Sequence, residues 1–236
     1  MRRVSAKFVL RVLTVEQKQQ RFSVSLQLRD RAASDSNFLG NVIMGDETWV
    51  CVYDPETRVY SSQWKSPSSR AEKACHSRSN IKVTMIVFLW PSWIVRAEFV
   101  PRNTAENSEY CKGLLECLRN DVRRKRPEKW ANGFILMTVL RVTHCFWYDN
   151  FCQIKNITVC PHPPYSPDLA LFDFWLFPKV KMTVKGKRFE SIQGIEAAMT
   201  VQLKTLTKED FQNCFRKWQE WWDKCFQSKG EYFEGD

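Results

Sequence analysis

The chain has 236 residues, 44% of them hydrophobic and 14% aromatic, enough for one sizeable core with appendages or for two small domains. Only 8 Gly and 10 Pro are present, which excludes a collagen-like or linker composition. A net charge of +10 favours a polyanionic partner, nucleic acid before an acidic membrane, and leaves a merely soluble basic protein open.

Residues 1–13 are basic and irregular, with Arg2, Arg3 and Lys7, and no long apolar run follows them. No signal peptide is therefore expected. Thr14-Val15-Glu16-Gln17 has the form of a capping box and predicts a helix running to about Arg31. Val42 to Val52 reads as a strand, Asp54-Pro55-Glu56-Thr57 as a turn, Arg58 to Trp64 as a returning strand and 66–80 as a polar loop. Ile81 to Leu89 reads as a buried strand and Ile94 to Val100 as a further one, so 41–100 predicts an antiparallel meander of three or four strands. The longest apolar stretch, Met85 to Trp93, is broken by Pro91 and far too short to span a membrane.

The period then changes. Tyr110, Leu114, Leu115, Leu118 and Val122 fall at helical spacing, followed by Arg123-Arg124-Lys125-Arg126 and closed by Pro127. Phe134 to Val142 and Ile157 to Val159 read as strands, and Leu169 to about Val180 and Ser191 to Leu203 as helices. Thr207 caps a last helix, on which Phe211, Phe215, Trp218, Trp222 and Phe226 form an apolar stripe that reads as core packing. Strands first, then alternating helix and strand, predict a mixed α/β sheet with helices outside. The nine cysteines include no Cys-x-x-Cys pair, and Cys160 and His162 face no second ligand pair at zinc spacing. They read as scattered reduced thiols of an intracellular protein.

The stretch from Pro163 to Pro178 organises the chain. Pro163, Pro164 and Pro167 keep its first half out of helix, and its second half carries a single carboxylate, Asp173, among Leu171, Phe172, Phe174, Trp175 and Phe177. Such a charge must reach solvent, a partner or a metal. Asp46 stands in a similarly apolar strand. Carboxylates presented from a central strand and a nearby helix suit two Mg²⁺ ions roughly 3.5–4 Å apart, the arrangement of phosphoryl-transfer nucleases. Spacing alone leaves an ordinary surface or cap aspartate the commoner alternative.

Seven stretches narrow the reading. They are Gly45-Asp46-Glu47-Thr48-Trp49, Tyr53-Asp54-Pro55-Glu56-Thr57, Ser61-Ser62-Gln63-Trp64-Lys65, Val122 to Pro127, Asn156-Ile157-Thr158-Val159, Tyr165-Ser166-Pro167-Asp168-Leu169 and the terminal Gly230 to Asp236. Together they resemble the catalytic part of mariner-family DNA transposases over nearly the whole chain. The resemblance implies an RNase H-like fold, cut-and-paste transposition with Mg²⁺ or Mn²⁺, a nuclear location and a dimer on DNA. It implies a basic linker and helix from the inter-domain region over 1–40, the RNase H-like catalytic domain over 41–190, and a helical C-terminal segment of the same domain over 191–236. The two helix-turn-helix units of the family lie upstream of its catalytic part, and this chain is expected to begin after them, at the linker. The linker's Trp-Val-Pro pattern is here Phe8-Val9-Leu10, which puts the family's dimer contacts in doubt, and Trp90-Pro91-Ser92-Trp93 replaces a polar turn.

In the family three aspartates bind the metals. The first maps to Asp46 and the third to Asp173, not Asp168. The second stands in a His-Asp-Asn-Ala-Pro-type motif with 34 residues between it and the third, and that spacing falls on Thr138. The replacement has a simple candidate origin. The codons CAT GAC AGT GCT CCG TGT CAC ACA TTG encode His-Asp-Ser-Ala-Pro-Cys-His-Thr-Leu, a variant of the family motif. Read one base later, with a T following, they give Met-Thr-Val-Leu-Arg-Val-Thr-His-Cys, which is Met137 to Cys145 at every position. The sequence thus points to a decayed copy frameshifted through its second metal ligand, an idea that different codons at the genomic locus would remove. Threonine is neutral and a weak ligand, so Mg²⁺ or Mn²⁺ binding is expected to be weakened or lost. Asp149 imitates the missing residue but stands too near Asp173 in sequence to replace it.

Two basic clusters are candidates for DNA contact: Arg123, Arg124, Lys125 and Arg126, and, among the lysines after the Asp173 helix, Lys185, Lys187 and Arg188. A solvated helix end is the alternative for the first. The expected function is a DNA-binding, transposase-derived domain that cannot complete transposition. The alternatives are residual metal-dependent nicking through Asp46 and Asp173, and a non-functional relic or a piece of a fusion.

Overall fold

The computed structural model describes residues 11–51, 53–54, 79, 81–101, 108–138, 148, 152–155 and 157–233. Helix α1, Val15–Ser34, opens with the expected capping box: the Gln17 N–H donates to Thr14 Oγ1 at 3.3 Å and the Thr14 N–H to Gln17 Oε1 at 3.0 Å. Strand β1, Val42–Cys51, pairs antiparallel with β2, Lys82–Trp90, and β2 antiparallel with β3, Trp93–Phe99. The predicted meander is therefore present in three strands. Its proposed returning strand, Arg58 to Trp64, and the 66–80 loop lie outside the described residues, apart from Ser79.

Helix α2, Ser108–Lys125, runs one turn beyond Val122. Pro127 does more than close it. Pro127 occupies the first turn of a short helix α3, Pro127–Asn132, where its missing N–H is harmless. Strands β4, Phe134–Thr138, and β5, Ile157–Cys160, add in parallel on the other side of β1, giving the order β3-β2-β1-β4-β5. The predicted strand to Val142 is described only as far as Thr138. Residues 139–147, which hold most of the altered motif, and Asp149-Asn150 lie outside the description.

The strands are apolar on both faces, so the sheet is buried between two layers. Val42, Met44, Met85, Val87, Leu89 and Met137 face one side, under α1 and the C-terminal helices. Ile43, Ile86, Phe88, Trp90, Phe134 and Leu136 face the other, under α2, with Tyr148 and Cys152. The first cluster takes in four of the five stripe residues foreseen from sequence, while Phe226 is half-buried and stacks on Phe22 at 4.9 Å. Along α6, Lys208–Gln227, Phe211, Phe215, Trp218 and Trp222 are all buried, each worth about 1.5–3 kcal/mol relative to exposure. Helix α5, Ile192–Lys204, precedes it, capped by the Ser191 hydroxyl. No helix among the described residues is long and apolar enough to cross a membrane.

Candidate metal centre

The Pro-rich stretch does not enter helix at Leu169. Residues 167–169 form a turn, and the helix begins at Leu171 and at once widens into a π-helical turn, Phe172–Leu176, in which the Phe177 N–H reaches Phe172 O five residues back. Pro178 accounts for the widening. It has no N–H for the carbonyl of Phe174, and in an α-helical turn its ring would clash with that carbonyl. The ordinary α-helix α4, Phe177–Met182, follows. Asp173 thus sits on a π turn, a feature that recurs at functional sites.

The turn is clamped by α6. Trp218 Nε1 donates to Leu169 O at 2.8 Å, Phe174 packs on Trp221 with centroids 3.9 Å apart, and Trp175 meets Phe211 edge-on at 5.4 Å. The aromatic residues around Asp173 therefore face the C-terminal helix, while the carboxylate itself opens to solvent.

Asp46 comes from the middle of β1, on the same face as Val42 and Met44. It is 6% exposed, and its Oδ1 accepts the Glu47 N–H at 2.7 Å. Loss of hydration, then the negative charge of Asp173, push its carboxyl up to about 8. The Asp173 carboxyl is also raised, chiefly because surrounding protein strips part of its hydration although the side chain opens to solvent. The Lys181 ammonium on α4 pulls both back down. The Asp173 carboxylate, distant in sequence, is close enough to disturb the ionisation of Asp46, a repulsion that a divalent cation would relieve.

Thr138 ends β4 directly beside Gly45 in the parallel register, one residue from Asp46. The position assigned to the second family aspartate therefore adjoins the strand that carries the first. Among the described residues no group of three or more His, Cys, Asp or Glu side chains could hold a metal. Asp46 and Asp173 suit one hard cation that keeps several waters, and fall short of three carboxylates around a pair of ions.

Asp168 takes a different place. It and Arg21 are each 0% exposed, and the guanidinium makes a two-pronged contact with the carboxylate. Arg21 Nη1 also donates to Ser166 Oγ at 2.7 Å, Nε to Gly230 O at 2.8 Å and Nη2 to Glu231 O at 3.2 Å. All five donors are matched, the condition under which a buried ion pair is tolerated. Tyr232 lies over the guanidinium at 4.8 Å, and its hydroxyl donates to Tyr165 O at 2.7 Å. The Tyr165 to Leu169 motif and the motif beginning at Gly230 are thus joined through α1. Sequence reasoning missed Arg21, whose only signal was its place on a polar helix.

His162 lines a cavity of about 10 Å³ with Gly45, Met137 and Phe172. Burial holds its imidazole down at about 4, and its Nε2 lies 3.2 Å from Ser166 O. Asp168 and Arg21 are its charged neighbours.

The basic residues separate. Lys185, Lys187 and Arg188 follow α4, on a turn tied to the exit of β1 by the Gly186 N–H donating to Asp54 O at 2.8 Å and by Arg188 over the Tyr53 ring at 5.1 Å. Arg123 to Arg126 end α2, the helix on the other face of the sheet. There Arg124 pairs with Asp121 at 2.9 Å, Arg126 with Glu128 at 3.4 Å, and Lys125 Nζ donates to Val95 O at 2.8 Å.

With this geometry fixed, comparison with known proteins is informative. No family model matches the chain. It is 26% identical over 202 residues to the Mariner Mos1 transposase of Drosophila mauritiana, covering 84% of this chain and 58% of that protein. It is 26% identical over 240 residues to the human histone-lysine N-methyltransferase SETMAR, covering 97% of this chain and 33% of that protein. Among solved structures, the Mos1 catalytic domain superposes with a TM-score of 0.78 at 23% identity, over 96% of this chain and 100% of that one. The chain resembles the catalytic region of mariner-family transposases. Its fold is the RNase H-like one of that catalytic domain. A chain of the pre-cleavage Mos1 transpososome matches at a TM-score of 0.87 and 23% identity, over 99% of this chain and 68% of that one. The chain spans about a third to three-fifths of the length of the curated relatives it matches.

Proposed function

We propose that this chain is a mariner-transposase-derived domain that binds DNA along the carboxylate cleft and has lost the capacity to complete transposition. One observation carries the reading. Asp46 and Asp173 are paired electrostatically, while the β4 position beside Gly45 holds Thr138. DNA as partner is supported by the relatives, which include a transpososome and a Mos1 complex with the left transposon end. The Lys185, Lys187 and Arg188 turn, adjoining α4, offers cations for phosphates on the carboxylate side. Without recognition helices in the described residues, such binding is backbone-led and salt-dependent. Mos1 structures holding Mn or Mg support divalent-ion use by the family. Here Asp46 and Asp173 would hold one ion, which would neutralise their mutual repulsion and the charge of a phosphate, and the weakening of that site follows from the absent carboxylate. A dimer on DNA and a nuclear location, expected from the family, belong to the same proposal, as do the divisions 1–40, 41–190 and 191–236.

The surviving carboxylate pair favours a second reading, residual metal-dependent nicking. A supercoiled-plasmid assay in Mn²⁺ with wild type and Asp46→Ala separates the two. No nicking by either protein, alongside retained salt-sensitive gel shifts of a duplex, is the expected result. Nicking by wild type that Asp46→Ala abolishes would overturn the inactive reading in favour of the second.

A further inference from the structure

The outer edge of β3 is not fully covered by the helices that pack beside it. Between β3 and the corner joining α5 to α6 lies a groove of about 330 Å³, lined by Trp93, Ile94, Ala97, Phe99, Leu203 and Phe211. It lies away from the carboxylate pair, which is carried by β1 and the π turn. At Ser92 and Trp93 it runs into a second, wider hollow of about 590 Å³ whose other walls are Lys125, Arg126 and Lys208. Lys204 stands on the wall of the first. Among the described residues, β3 is an outer strand with no neighbour beyond it. Such an edge presents unpaired backbone groups to any extended chain that reaches it. Lys125 Nζ covers one of them, Val95 O.

We propose that this groove docks an extended acidic peptide of a partner protein, with a bulky apolar side chain seated over Ala97 and carboxylates meeting the cationic rim. The charge pattern selects the occupant. The floor is apolar, and four cations, Lys125, Arg126, Lys204 and Lys208, flank it. Lys204 and Lys208 have no carboxylate partner among the described residues, so their charges are open to an incoming acid. A strand laid along β3 would gain main-chain hydrogen bonds, and its alternate side chains would enter the groove. Single-stranded nucleic acid is the weaker candidate, since it needs an open aromatic face for its bases. The Trp93 ring has Lys125 Nζ over it at 4.6 Å and Trp90 parallel to it at 6.5 Å, and Phe211 is occupied edge-on by Trp175.

The test uses the full chain and a fluorescein-labelled peptide, Asp-Glu-Asp-Phe-Asp-Leu-Asp-Glu, read by fluorescence anisotropy. A version with lysine at every acidic position and a labelled single-stranded oligonucleotide are run alongside. Ala97→Tyr fills the groove from an exposed strand position, and Lys204→Glu combined with Lys208→Glu neutralises the rim. Melting curves check that both variants fold. The proposal expects saturable binding of the acidic peptide alone, weakened tenfold or more by each variant. Absence of acidic-peptide binding overturns it, as does binding that Ala97→Tyr leaves unchanged. Oligonucleotide binding that Ala97→Tyr weakens, with no peptide binding, would give the groove to nucleic acid and overturn it as well.

Discussion

At the scale of single residues, two titratable groups that have lost hydration give the fold opposite responses to pH. Asp46 ionises at about 8 in the folded chain against an ordinary 3.8. Between those values the folded chain holds a proton that the unfolded chain has released, so this group's contribution falls as pH rises through the window. Each pH unit is worth about 1.4 kcal/mol. Asp46→Asn removes the ionisation and should be more stable than wild type at pH 8, by an amount on the order of several kcal/mol, and nearly equal to it at pH 4. Thermal melts in chelator would show the gap, and added Mn²⁺ should narrow it by stabilising wild type alone. Identical melting temperatures at every pH would remove the argument. His162 works the other way. Its folded value of about 4 lies below its ordinary 6.5, so the unfolded chain takes up a proton first as pH falls. Stability from this group is complete above 6.5 and fades toward 4, by about 3 kcal/mol in all. His162→Gln should flatten that acid limb in chemical denaturation measured from pH 7 to 4.

At the scale of elements, the C-terminal helix serves the site by holding the turn that carries Asp173, and its own end is held by a glycine. Gly230 has φ +82, and a Cβ there would lie 2.1 Å from Lys18 O on α1. Gly230→Ala meets both a disfavoured backbone angle and a clash with main chain that cannot swing away, so a loss of about 2–4 kcal/mol is expected in urea unfolding. Much of this architecture was legible beforehand. The β-branched and aromatic residues of Val42 to Val52, the apolar run Ile81 to Leu89, the Thr14 and Thr207 caps and the α6 stripe are local signals, and local signals survive folding. The π turn was not legible, because it depends on how one proline acts on the carbonyl four residues earlier. Helix α3 was missed for a related reason, since Pro127 reads equally well as an end or as a beginning. Asp46 and Asp173 were placed by motif resemblance and not by periodicity. Arg21 was invisible because its three sets of partners lie 145 to 210 residues away.

At the scale of the molecule, Arg21 and Asp168 fasten the first described helix, the Pro-rich loop and the final turn to one another. Arg21→Met would leave a carboxylate buried without its cation, and a loss of about 3–5 kcal/mol is expected. Arg21→Met combined with Asp168→Leu should recover a good part of it, measured by the same unfolding curves. A double variant no better than the single would show that packing, not charge, dominates at this node. Two of the guanidinium's hydrogens end on the carbonyls of Gly230 and Glu231. A stop codon or protease cut before Gly230 would therefore strand a cation in the interior about two hundred residues away in sequence. In this protein the tail is a keystone, and trimming it for expression would be felt first at the opposite end of the sequence.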